Sequence, residues 1–163
     1  MSDTNVNGNA YALTVMTPIA RGREEALRRY LESLPRRDGP LAKLPGTHLG
    51  RWVIVSRLDG EELAGPYVLF TSNFDGPLEP YLDALCSLPE APEIWGRAGE
   101  DLKAYLLQHR VKTGVFFAAY PQATVDDVQR GLDRRERLID FAVSSQGMDA
   151  AQLQAAFDAE FRA

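Results

Sequence analysis

The segment His48-Leu49-Gly50-Arg51-Trp52 sets a histidine three residues ahead of an arginine in a run of β-forming residues, and Thr71-Ser72-Asn73 closes a second such run with three hydrogen-bonding side chains. Histidine titrates nearest neutrality, so His48 can serve as base, acid or metal ligand; the alternative is a strand-end histidine satisfied by a backbone carbonyl. Arg51 inside an apolar strand calls for a carboxylate partner or an anionic ligand, because an unpaired buried charge is costly. Thr71 and Asn73 can orient a hydroxyl or carbonyl of a ligand, or simply bond the turn that follows. The expected catalytic set is therefore His48 as acid/base, with Arg51 and Asn73 polarising or orienting the substrate. Trp52, Phe70 and Phe116 are expected as apolar walls. Trp95-Gly96-Arg97, an aromatic beside a cation in a proline-flanked stretch, and Thr71 and Tyr120 complete the binding set; a tryptophan filling a gap between helices is the rival reading of Trp95. His109 lies on a helical stripe before Arg110 and Lys112, where a packing or capping role is the simpler account.

Several signatures are missing from the sequence. It has no Gly-x-Gly-x-x-Gly, no phosphate loop of the Walker type, no Gly-x-Ser-x-Gly and no His-Glu-x-x-His. Two histidines without a cysteine pair do not make a structural zinc site, and no metal is expected. The run Asp133-Arg134-Arg135-Glu136-Arg137 alternates in sign and reads as a solvated helical face or an oligomer rim.

The elements that position these residues follow from periodicity. His48 to Val55 and Tyr67 to Phe74 are rich in Val, Ile, Phe, Tyr, Trp and Thr, and the polar stretch Leu58 to Pro66 between them predicts a hairpin with a long turn. Ahead of it, Tyr11 to Thr17 reads as a strand ended by Pro18, and Ala26, Leu27, Tyr30, Leu31 and Leu34 form a helical stripe that stops at Pro35. Pro35 to Gly46 is a long connection that either covers a site or merely crosses the surface. After the hairpin, Asp75 is placed to cap a helix carrying Leu78, Tyr81, Leu82 and Leu85, ended by Pro89 and Pro92. A short piece at Ile94-Trp95 leads to a helix with Leu102, Tyr105, Leu106 and His109. Gly114 to Tyr120 is expected as a last buried strand. Thr124 opens a long amphipathic helix ended by Gly147, and Asp149 with Gln152 forms a capping-box pattern before a final helix.

At 163 residues, with 45% hydrophobic and 25% charged content, the chain suits one soluble domain over 11–163 behind a mobile, disordered tail at 1–10. A net charge of −5 gives no attraction for nucleic acid or an anionic membrane. The tail lacks the pattern of a signal peptide, and no apolar run is long enough to span a bilayer. The single cysteine, Cys86, permits no internal disulfide, and a cytoplasmic location is expected.

The resulting order, strand, helix, strand, strand, helices, strand, helix, is the ferredoxin-like α+β pattern of a four-stranded antiparallel sheet with helices on one face, here with a helical C-terminal extension. Its strands are apolar on both faces, Trp52 and Ile54 against Leu49, Val53 and Val55, so a second cover is required, either the C-terminal helices or a second copy of the chain. On the strand order and on the two-faced strands Arg51-Trp52-Val53-Ile54-Val55 and Val115-Phe116-Phe117, the chain from about Tyr11 to Thr124 resembles the dimeric α/β-barrel superfamily. That resemblance implies a homodimer with a pocket against the sheet, and a small-molecule enzyme of monooxygenase or cyclase type acting without a cofactor on an apolar oxygenated or aromatic substrate. It also implies two alternatives. One is a haem protein or peroxidase-like enzyme with His48, or His109, as axial ligand; the other is a binding or assembly module without activity.

Overall fold

The computed structural model describes residues 4–162 and shows an α+β chain with six α-helices and one four-stranded antiparallel sheet. The chain divides into two compact units, Met1–Val125 and Asp126–Ala163, where the sequence reading takes 11–163 as one domain.

The sheet is built on the expected hairpin. Strand β3 (Thr47–Leu58) pairs with β4 (Glu61–Asp75), and β2 (Ala10–Pro18) pairs with the other edge of β4. The hairpin is longer than its sequence suggests, because Asp59 (φ 50°) and Gly60 (φ 82°) make a two-residue turn whose twist matches that of the strands. Gly65-Pro66, expected within the turn, instead lies inside β4 beside an irregularity between Val55 and Arg57, a place where the missing proline N–H breaks no regular ladder.

The fourth strand is not the expected one. Gly114 to Tyr120 forms no strand, and Val115, Phe117 and Tyr120 are largely exposed. The strand beside β2 is β1 (Val6–Asn7), in register Val6 with Tyr11 and Asn7 with Ala10. The stretch expected to be a disordered tail therefore contributes a strand, with Asn5 and Ala10 buried; residues 1–3 lie outside the described residues. Because β1 occupies that edge, the returning chain pairs with β2 only briefly, Met16 N to His109 O at 3.1 Å and Val111 N to Thr14 O at 2.8 Å. Beyond Val111 it meets asparagine side chains and single amides instead of a backbone ladder: Asn7 Nδ2 donates to Phe116 O at 3.2 Å and Asn9 N to Pro121 O at 2.7 Å.

Helices α1 (Glu24–Ser33), α2 (Leu78–Cys86), α3 (Ala91–Trp95) and α4 (Gly99–Gln108) complete the first unit. Alternate residues of the strands, Tyr11, Leu13, Val15, Phe70 and Phe74, join Tyr81, Leu82, Leu85, Ile94, Trp95, Leu102 and Leu106 in one core. Ser72, on the same strand face as Phe70 and Phe74, is buried as well, and it is satisfied by Tyr81 OH at 2.6 Å and Leu49 O at 3.2 Å. Asp75 does not cap α2: it is the last residue of β4, and the residue preceding the helix is Pro77.

The second unit is a pair of helices, α5 (Val125–Ser144) and α6 (Ala150–Phe161), of which α5 takes its first residue from the end of the first unit. The capping box forms as read: Gln152 N donates to Asp149 Oδ1 at 2.9 Å, and Asp149 N donates to Gln152 Oε1 at 3.1 Å. Phe141 meets both Phe157 and Phe161 edge to face, and Arg137 pairs with Glu160. Neither helix has a buried residue. Among the described residues no helix is long and apolar enough to cross a membrane.

Candidate functional site

The alternation along β4 projects Thr71, Asn73 and Asp75 from one face of the sheet, opposite the face of Phe70, Ser72 and Phe74. Register then sets their neighbours. Thr14, Thr71 and Arg51 stand in one row across three strands, Ala12, Asn73 and Leu49 in the next. Arg51 Nε donates to Thr71 Oγ1 at 3.2 Å, and among the described residues the arginine forms no ion pair. These residues line a shallow cleft of about 480 Å³ on this face, with Leu49 71% exposed at its rim.

His48 enters from a β-bulge. Thr47 pairs with Phe74 and Leu49 with Asn73, which leaves His48 as the extra residue of β3. The bulge has a structural consequence on each side. Thr47 faces inward to Tyr81 OH at 3.2 Å, Leu49 faces outward, and His48 is directed to Asp75, Nε2 to Oδ1 at 2.7 Å. Both side chains are mostly shielded from solvent, which strengthens the pair. The other carboxylate oxygen of Asp75 accepts the Val125 N–H at 2.7 Å, so the histidine is oriented by a carboxylate that is itself fixed. This is the arrangement by which a carboxylate selects one imidazole tautomer and leaves the opposite nitrogen for proton transfer.

The structure thus brings Arg51, Thr71 and Asn73 together on one face and sets the His48–Asp75 pair at the end of the same face. The expected apolar walls are elsewhere. Trp52, Phe70 and Trp95 pack against one another on the core side, with ring centroids 5.6, 5.8 and 6.3 Å apart. Trp52 and Phe70 are therefore separated from Arg51 and Thr71 by the thickness of the sheet, as strand alternation requires. Phe116 and Tyr120 fall in the irregular return and line none of the clefts described here. Arg97 lies over the Tyr105 ring at 4.3 Å, beside a different cleft.

Asp75 is the residue of this site that sequence reasoning assigned to another task. Its position before Gly76-Pro77 resembles a helix cap; its place two residues beyond Asn73 on the same strand is the signal that it belongs with Asn73 and Thr71. Among the described residues no three histidine, cysteine or acidic side chains gather as a metal-binding set. Cys86 is buried in the core, and burial pushes its thiol up to about 11, so at neutral pH it is a packing residue and not a nucleophile. Compared with known proteins, the chain matches no family model, no curated protein and no solved structure.

Proposed function

We propose that the chain is a small-molecule enzyme of the cyclase or monooxygenase type, in which the His48–Asp75 pair moves a proton on an oxygenated substrate laid along the open face of the sheet. The observation that carries this reading is the 2.7 Å pairing of a bulge-presented histidine with a fixed carboxylate, continuous along β4 with Asn73 and with Thr71–Arg51. His48 takes a proton from an acidic C–H between carbonyls, and the arginine and the asparagine amide hold the enolate oxygen. In a cyclase the enolate carbon then attacks a second carbonyl of the same molecule, and the imidazolium returns the proton to the new alkoxide. In a monooxygenase a methylene becomes a carbonyl with one oxygen atom from dioxygen, the other leaving as water with the two hydrogens of the methylene.

The test needs no known natural substrate. A set of β-diketones, anthrones and hydroxynaphthoquinones is screened by NMR for shifts at Arg51, Thr71 and Asn73, and hydrogen–deuterium exchange at the acidic carbon of any binder is then followed. Exchange in the His48→Ala variant should fall by about 100-fold, the lower end for a positioned acid/base. Unchanged exchange, or binding that does not shift those three residues, would sink the proposal.

The haem alternative finds less support. His48 Nε2 is engaged by Asp75, and His109 Nδ1 lies 2.8 Å from Tyr105 O with its ring against the tyrosine. These residues do not fit an axial ligand held over an apolar slot, and haemin titration with no Soret band would close that route. A reading as an assembly module has one specific observation in its favour. Leu49 and Val53 on the open sheet face, and Val128, Leu132, Ile139 and Val143 on α5, are exposed. Pairing of two such sheet faces is what the likeness to the dimeric α/β-barrel superfamily leads one to expect. Native mass spectrometry showing a dimer that Leu49→Asp and Val53→Asp dissociate would support it.

A further inference from the structure

A second cleft, of about 500 Å³, opens where the end of β2, the start of α1 and the ends of α3 and α4 meet, and its lining includes Thr17, Arg23, Val68, Trp95, Arg97 and Tyr105. Nothing in the acid–base reading uses it. Two of its residues carry polar atoms that are buried and have no hydrogen-bond partner among the described residues: the hydroxyl of Thr17, a residue 1% exposed, and the indole N–H of Trp95, a residue 9% exposed. Native chains rarely leave such groups unmet, and two beside one cavity is a signature of a missing partner.

The cations at this cleft are unequally occupied. Arg23 Nη2 donates to Glu93 O at 2.8 Å and pairs with Glu93 Oε1 at 3.3 Å, so this guanidinium already has a carboxylate partner. It lies against Gly96, which ends α3 in the left-handed conformation (φ +67°); a Cβ there would come 2.9 Å from Arg23 Nη1. Arg97 has no carboxylate partner among the described residues and rests on the face of Tyr105. Apolar surface from Leu27, Val68 and Ile94, all 2–3% exposed, forms the floor.

We infer that this cleft is a binding site for a small organic carboxylate with an apolar body, its head group held by Arg97 and by the Trp95 N–H and Thr17 hydroxyl, its body on the Leu27–Val68–Ile94 floor. An unpaired arginine, two unpaired buried polar groups and an apolar floor within one cavity are the elements of such a site. A neutral molecule would leave Arg97 unmatched, and an ion without an apolar part would leave the floor unused.

Titration of the full chain with octanoate, decanoate and decanol, followed by tryptophan fluorescence and isothermal calorimetry, tests this directly. One decanoate per chain should bind, decanol at least tenfold more weakly, and Arg97→Met should weaken decanoate at least tenfold while leaving decanol unchanged. Thr17→Val should weaken decanoate several-fold, and Arg51→Met, on the other sheet face, should leave it unaltered, which separates this site from the acid–base site. Circular dichroism and urea midpoints verify that each variant folds. No saturable binding of decanoate, equal binding of decanol, or indifference to Arg97→Met would each overturn the inference.

Discussion

His48 Nε2 and Asp75 Oδ1 stand 2.7 Å apart although they belong to different strands, because the bulge at His48 turns that one side chain toward the end of β4. The same carboxylate holds the Val125 amide, so Asp75 has two dependants and His48 has one. Asp75→Ala should therefore cost about 2–3 kcal/mol, more than the roughly 1 kcal/mol of His48→Ala, since it strands both a ring nitrogen and a backbone N–H. A double-mutant cycle by urea unfolding should give a coupling of about 1 kcal/mol. Additive single-variant effects would show that the pair does not interact.

Most of the polar residues of the site were legible one by one; on β4 plain alternation divides them between the faces, and on β3 the bulge shifts that alternation. His48, Arg51, Thr71 and Asn73 stood out as polar residues in apolar strands, and the strands themselves followed from composition. Two things were hidden. A one-residue bulge leaves no mark in the pattern of β3, so that Thr47 and Leu49 look as if they share a face when they do not. And the apolar run Gly114 to Tyr120 has strand composition but no free edge to join, because Val6–Asn7, polar in context and short, has taken it. Strand propensity reports a surface that suits a sheet, and the outcome is decided by competition for partners.

That competition can be tested at Gly8. Its φ is +63°, and a Cβ there would lie 1.9 Å from Pro121 O, so Gly8→Ala must push the returning chain away from β1 as well as strain its own backbone. A loss of about 2 kcal/mol or more is expected, against about 1 kcal/mol for Gly60→Ala, which also has positive φ (+82°) but no neighbour within 4 Å. Equal losses at the two positions would mean that the contact with Pro121 contributes nothing.

Ser72 and Tyr81 form the buried polar pair that ties β4 to α2, 2.6 Å apart, with Phe74 stacked on the Tyr81 ring at 3.6 Å. Tyr81→Phe keeps the stack but leaves Ser72 with only the Leu49 carbonyl, and should cost about 1–2 kcal/mol. Ser72→Ala should cost a similar amount. Because both remove one shared bond, the double variant should cost less than the sum, by about 1 kcal/mol in equilibrium unfolding.

The core of the first unit is built from its own sheet and helices α1 to α4, so a chain without α5 and α6 should keep that fold. A chain ending at Val125 keeps the amide that Asp75 holds and the whole core of the sheet and α1 to α4. Its unfolding free energy by urea should lie within about 0.5 kcal/mol of that of the full chain, the usual range for changes away from the core. A collapse of the near-ultraviolet circular dichroism on truncation would show that the helices are needed for the fold.

Between about pH 9 and 10 the pH dependence of stability should trace chiefly to Cys86, the raised group whose ordinary value lies lowest. Its thiol, which titrates near 9.0 when exposed, is pushed up to about 11 first by burial and then by the nearby Asp83 carboxylate, so the folded chain holds its proton where the unfolded chain has lost it. The unfolded state then binds fewer protons between about pH 9 and 11, and the slope of unfolding free energy with pH is negative there: the stabilisation is complete below pH 9 and lost as pH rises toward 11. Tyr81, raised by its own burial, adds a loss of the same sign as the pH rises past its ordinary value of 10. Replacing Cys86 with alanine removes the thiol's part and should flatten the curve between pH 9 and 10, where Tyr81 contributes least, at the cost of a small cavity. Urea unfolding at pH 7, 9 and 10 in both proteins measures the difference, and parallel curves would show that the thiol is no more protonated in the fold than out of it.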